Sequence, residues 1–124
     1  MADYAAALTR RDELIFQLEE FFDAWDAFLC PVTVSPAIPH VPFGTPIDVD
    51  EAKVPYFIAG TAYTCPFNLS GHPVAILPLA RSAAGLPIGV QVVGKRRSEP
   101  ALLQLAKKLA LITGPFTPPP AFRD

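Results

Sequence analysis

The sequence predicts an α/β domain in which the strands of a partial sheet are flanked by helices. Three observations carry that prediction. Apolar residues step by three and four through the first thirty positions, two β-branched runs joined by a short glycine-containing turn fill residues 74–94, and a second amphipathic stretch follows from Ser98. The 124 residues fall in the range of one domain and are long enough to bury a core. No internal repeat divides them.

From Asp3 to Phe28 the residues Leu14, Leu18, Phe21, Trp25 and Phe28 recur at helical spacing, with Arg11, Glu13, Glu19, Glu20 and Asp23 between them. This predicts an amphipathic helix over 3–28. The run Ala27 to Val32 is either a buried strand or the end of that helix. Residues 31–55 hold Pro31, Pro36, Pro39, Pro42, Pro46 and Pro55, a density that excludes regular helix and central strand. A long proline-rich loop is expected there, either one wall of a binding cleft or a stiff surface connection. Asp50 and Glu51 are placed to open a helix running to Ala62. Asn68-Leu69-Ser70-Gly71-His72-Pro73 reads as a turn. Strands are expected over 74–79 and 88–93, adjacent and antiparallel, with the turn at Ser82 to Gly85. Ser98 is placed to cap a helix over 98–112 whose Leu102, Leu105, Ala106, Leu109 and Ile112 share a face, with Pro100 tolerated in its first turn. Gly114-Pro115 stops that helix, and residues 115–124 form an extended tail.

Composition narrows the function. Hydrophobic residues make up 51% of the chain and charged residues 18%, against roughly 25% charge in an ordinary soluble domain, and the mean hydropathy is positive. That is more apolar surface than a small globule hides. It implies strands covered on both faces, together with self-association or a partner chain over what remains. The net charge is −2 and the largest basic cluster is Lys95-Arg96-Arg97, so nucleic acid is not expected as a partner. No apolar run approaches the roughly 18 residues that span a bilayer, and the N-terminus lacks a signal-peptide layout. A cytoplasmic protein with no membrane partner is expected. Cys30 and Cys65 are expected to be reduced and buried.

No complete catalytic constellation is legible. His40, His72, Cys30 and Cys65 do not have zinc-ligand spacing, so no metal is expected. A Cys65 nucleophile with His72 as its base lacks an electropositive setting, and His72 reads as a turn residue. None of Ser35, Ser70, Ser82 and Ser98 stands in a Gly-x-Ser-x-Gly elbow. Lys53, Lys95, Lys107 and Lys108 lie in polar surroundings, where a basic lysine would not be desolvated. Glu19-Glu20 and Asp50-Glu51 are sequence neighbours whose side chains diverge. The glycines follow no phosphate-cradling pattern, and no cofactor is expected.

The second half carries more specific information. The run from Thr64 to Pro78 (Thr-Cys-Pro-Phe-Asn-Leu-Ser-Gly-His-Pro-Val-Ala-Ile-Leu-Pro) is followed by Gly-Leu-Pro-Ile-Gly-Val-Gln-Val-Val-Gly from Gly85 to Gly94. Together these closely resemble the C-terminal region of the amidase signature family. Asp26-Ala27-Phe28-Leu29-Cys30-Pro31-Val32-Thr33 upstream and Ser98 to Leu109 downstream extend the resemblance from about Ala5 to Phe122. It implies the C-terminal portion of that family's fold: one segment over 1–124, with strands of a partial mixed β-sheet at 28–32, 74–79 and 88–93. Family members hydrolyse carboxylic amides with a serine nucleophile, a second serine in a cis peptide and a lysine base, all in an N-terminal portion with no counterpart here. The resemblance therefore implies a parent enzyme that releases acid and amine or ammonia from a small amide, while this chain is not catalytic by itself. The alternative is a non-catalytic binding or assembly module with an amidase-derived fold. Thr64 and Asn68 match the family's Thr-x-Pro-x-Asn segment near the cleft, where Asn68 either contacts substrate or pins a turn. Gln91 is expected to satisfy a buried polar network. Thr61 stands where the glutamine-using branch has an acidic residue, which weakens a glutaminase reading.

Overall fold

The computed structural model describes residues 1–114, 117 and 118. Helix α1 (Ala2–Ala24) is rich in Ala, Leu, Glu and Gln, which lose little freedom in a helix, and no glycine or proline interrupts it. It ends four residues short of the expected boundary. Trp25 turns extended at φ −132° and ψ 138° because the next residues find their partners in a ladder: strand β1 (Phe28–Pro31) pairs antiparallel with β5 (Pro87–Val93), Phe28 opposite Val93 and Cys30 opposite Gln91. Trp25 and Phe28 continue the helical spacing in sequence only; Trp25 is exposed.

Strand β4 (Val74–Arg81) pairs with the other side of β5, giving the order β1-β5-β4 with both pairings antiparallel. The two β-branched runs are thus adjacent antiparallel strands, joined at a turn in which Gly85 N–H donates to Ser82 O at 2.8 Å. A β-bulge interrupts the register between Pro78 and Ala80. As the central strand, β5 holds the most enclosed residues, Gln91, Val92 and Val93.

The proline-rich segment is not loop throughout. Strands β2 (Ile47–Val49) and β3 (Ala52–Val54) form an antiparallel hairpin that stands as a separate two-stranded sheet. Pro46 and Pro55 flank this hairpin, where a missing donor costs no ladder bond. Its turn is Asp50-Glu51, with Asp50 at φ 51°, so these acids do not begin a helix. Helix α2 (Tyr56–Thr61) starts only after Pro55.

The stretch read as a turn at 68–73 is half helix. Helix α3 (Cys65–Ser70) carries Pro66 in its first turn, where a missing N–H is harmless, and closes at Gly71 (φ 72°), whose N–H donates to Phe67 O at 2.8 Å. Helix α4 (Glu99–Thr113) follows the expected boundaries and packs on β4 and β5 through buried Leu102 and Ala106. Ile112, placed on the same face by periodicity, is exposed. Ser98 precedes α4 without capping it, since its Oγ donates backward to Lys95 O at 2.6 Å. Gly114 ends the helix at φ 93°. Apart from Thr117 and Pro118, the tail expected over 115–124 lies outside the described residues.

The core lies where α1 and α3 meet the sheet. Phe22, Cys30, Phe67 and Val93 are buried together, with Leu18 and Phe21 packed against them. Phe28 links the layers, its ring 5.8 Å from that of Phe21 and 6.1 Å from that of Phe67. Cys30 is buried as expected, but Cys65, the first residue of α3, is exposed. No helix among the described residues is long and apolar enough to cross a membrane.

Candidate functional site

Thr64 and Asn68 sit one helical turn apart at the start of α3. Asn68 N–H donates to Thr64 O at 3.1 Å, and Thr64 Oγ1 donates to Thr61 O at 3.2 Å, so the threonine hydroxyl holds the α2–α3 corner. Asn68 is exposed, and among the described residues its side chain makes no hydrogen bond. It therefore does not pin a turn through its own backbone, and its amide is free to meet a ligand.

Gln91 stiffens the same corner from beneath. It is 2% exposed, and its Nε2 donates to Pro31 O at 2.8 Å and Tyr63 O at 3.0 Å, with Cys30 Sγ 3.4 Å away. One amide thus ties β1 and the residue before Thr64 to the central strand, the buried network expected of it. Burial raises the Cys30 thiol pKa, opposed by the contact from Gln91, so Cys30 stays protonated and inert.

Sequence reasoning missed a second polar cluster. His72 Nδ1 is 2.8 Å from Ser70 Oγ, and His72 Nε2 is 3.4 Å from Glu19 Oε1, although neither of the latter two atoms is aligned in a hydrogen bond. The Phe22 ring stacks on the imidazole at 5.4 Å. Burial pushes the His72 pKa below 6.5, the Glu19 carboxylate pulls it back in part, and Arg96 adds to the lowering. Serine, histidine and carboxylate stand in the order of a nucleophilic triad. Access decides against that role. Ser70 is 2% and His72 5% exposed, Ser70 Oγ is engaged with Phe67 O, and the cavities between α1 and α4 and beneath the 31–55 segment are lined by other residues. A nucleophile must reach a carbonyl carbon, and no substrate reaches Ser70 here. The cluster fastens α1 to the α3–β4 corner.

The lysines offer no base. Lys95 donates to Asp23 Oδ1 at 2.5 Å, and this bond leads the causes that raise its pKa, so it holds its proton. Lys53 pairs with Asp48, and Lys107 and Lys108 lie on the exposed side of α4.

Comparison with known proteins identifies the family. The amidase family model matches residues 1–103. The 6-aminohexanoate-cyclic-dimer hydrolase of Paenarthrobacter ureafaciens is 36% identical over 79% of this chain and 22% of its own length. A glutamyl-tRNA(Gln) amidotransferase subunit from Natranaerobius thermophilus is 34% identical over 86% of this chain and 20% of its own. Among solved structures, the crystal structure of an amidase superposes with a TM-score of 0.77 at 31% identity, covering 91% of this chain and 25% of the other. The chain spans about a fifth to a quarter of the length of the relatives it matches.

Proposed function

The chain belongs to the amidase family, and from that membership we propose that it is the C-terminal portion of an enzyme that hydrolyses a small carboxylic amide to acid and amine or ammonia. In this reading it completes the sheet and lends Thr64 and Asn68 to the substrate pocket, while nucleophile and base come from the rest of the enzyme. One observation carries the reading: the fold aligns with an amidase over 91% of its length, yet the Ser70–His72 pair is sealed from solvent. The free amide of Asn68, braced by Thr64 and Gln91, supports its role as the group that orients substrate.

Incubating the 124-residue chain with a chromogenic aryl amide tests the first half. No release of acid or amine is expected from the chain alone, and hydrolysis is expected once the N-terminal portion of a related amidase is co-expressed with it. In that complemented enzyme, Asn68→Ala lowers kcat/KM roughly tenfold, the loss of one hydrogen bond worth about 1.4 kcal/mol. Turnover by the chain alone would sink the proposal.

A second reading has its own support. Leu29 on β1 and Ile76 on β4 are 53% and 57% exposed at the two open edges of the sheet, as they would be in an assembly module. A complemented enzyme without activity would favour this alternative.

A further inference from the structure

Helix α1 is long but lightly held. Of its 23 residues only Phe22 is buried, with Leu18 and Phe21 packed beside it. Strand β5, by contrast, is bonded on both sides and holds Gln91, Val92 and Val93 almost wholly enclosed. An element that buries little apolar surface opens at a lower free energy than the molecule as a whole, so α1 can leave the sheet while the sheet stays intact. Its departure has a definite result. Phe22 shares the core with Cys30, Phe67 and Val93, and Cys30 is 8% exposed with α1 in place.

Two polar contacts supplement that packing, and they differ in kind. Lys95 Nζ lies 2.5 Å from Asp23 Oδ1 and 4.0 Å from Glu19 Oε2. These charges reach solvent, so the bridge holds α1 only weakly. The contact to His72 is enclosed. Glu19 Oε1 and His72 Nε2 stand 3.4 Å apart, both shut off from water and neither in a hydrogen bond among the described residues. The other ring nitrogen, Nδ1, already meets Ser70 Oγ of α3 at 2.8 Å.

A second proton on this ring would have to be carried with no water and no aligned partner at Nε2, and with Arg96 repelling it. Glu19 attracts that charge, but desolvation is the larger effect and keeps the closed ring neutral below the ordinary pH. Glu19 and Arg96 are the charged groups that act on the ring, and Asp23 and Lys95 lie beyond Glu19. Once α1 has left, water solvates the imidazolium.

We infer that α1 is an acid-released strap: protonation of His72 favours the state in which α1 has left the sheet and Cys30, Phe67 and Val93 are bare. The open ring, at its ordinary 6.5, takes up the proton before the closed ring does, so the open population grows as pH falls through that value. An open ring that titrates fully against a closed ring that does not bounds this growth at roughly thirtyfold between pH 7.5 and pH 5.

Labelling of Cys30 by a dithiodipyridine reads the opening, in the 124-residue chain carrying Cys65→Ser because Cys65 is exposed. Dividing each rate by that of the urea-unfolded chain at the same pH removes the thiol's own titration. The normalised rate should rise roughly threefold to thirtyfold from pH 7.5 to pH 5. His72→Gln should remove most of that rise, whatever it does to the absolute rate. Glu19→Gln should keep the rise, because the carboxylate opposes the desolvation of the ring rather than causing it. Val92 lies on the opposite face of β5 from Val93, so a thiol there, made by Val92→Cys together with Cys30→Ser, reports opening of the whole molecule. It should be labelled at least roughly tenfold more slowly than Cys30. A flat profile for Cys30, an undiminished rise in His72→Gln, or loss of the rise in Glu19→Gln overturns the trigger. Equal labelling of the two thiols makes the opening global and overturns the strap.

Discussion

His72 links the stability of this fold to pH. Its enclosed ring faces Glu19 from α1, with Asp23, Lys95 and Arg96 in the charged group around that junction. Burial holds its folded pKa below the 6.5 of a free histidine, so as pH falls the unfolded chain takes up the proton first. The stability that His72 contributes is complete above about pH 6.5 and is lost progressively from there down to the folded pKa. Urea midpoints measured at pH 7.5 and pH 5 should therefore fall further for the wild type than for His72→Gln. An equal fall in both proteins would contradict this linkage. Little of the cluster was legible in the sequence. Glu19 read as solvated helix surface and His72 as a turn residue, because no local pattern pairs residue 19 with residue 72. Gln91 was singled out by its match to the family's Gly-Val-Gln, and its reading as part of a buried network rather than a substrate contact agrees with its bonds to Pro31 O and Tyr63 O. Thr64 and Asn68 came from family resemblance, and only the three-dimensional fold shows one bracing the corner and the other left free.

At the level of elements, periodicity served the sheet and the long helices and failed where proline and glycine punctuate. The β-branched runs gave β4 and β5, and helical spacing gave α1 and α4, with the error in α1 confined to its C-terminal end. Pro66 and Gly71-His72-Pro73 disguised α3, although one proline is harmless in a first turn and the glycine is simply the stop. The hairpin at 47–54 was hidden for a similar reason, because three-residue strands fit between prolines that forbid anything longer. The two glycines of this region predict opposite outcomes. Gly71→Ala should destabilise by about 1 kcal/mol, because its φ of 72° disfavours an L-residue even though the nearest atom to a Cβ, Arg96 Nε, is 4.0 Å away. Gly60→Ala should stabilise by up to about 1 kcal/mol, since its helical backbone has open space beside it. Urea titrations of the two variants read both signs directly.

For the whole molecule, the sheet β1-β5-β4 ends, among the described residues, in two unpaired edges that carry Leu29 and Ile76. Exposed apolar edges recruit further strands, whether from a second copy or from the remainder of an amidase. Light scattering of the isolated chain should show mass rising with concentration, and Leu29→Lys with Ile76→Lys should return it to the monomer. A wild type that stays monomeric throughout would remove this expectation. The seal over His72 has a further consequence at this scale. Its imidazole hydrogen has no route to bulk solvent while the long N-terminal helix is seated, so its replacement by deuterium waits for that helix to lift. The exchange rate of a single ring hydrogen then works as a clock on an opening that involves a fifth of the polypeptide.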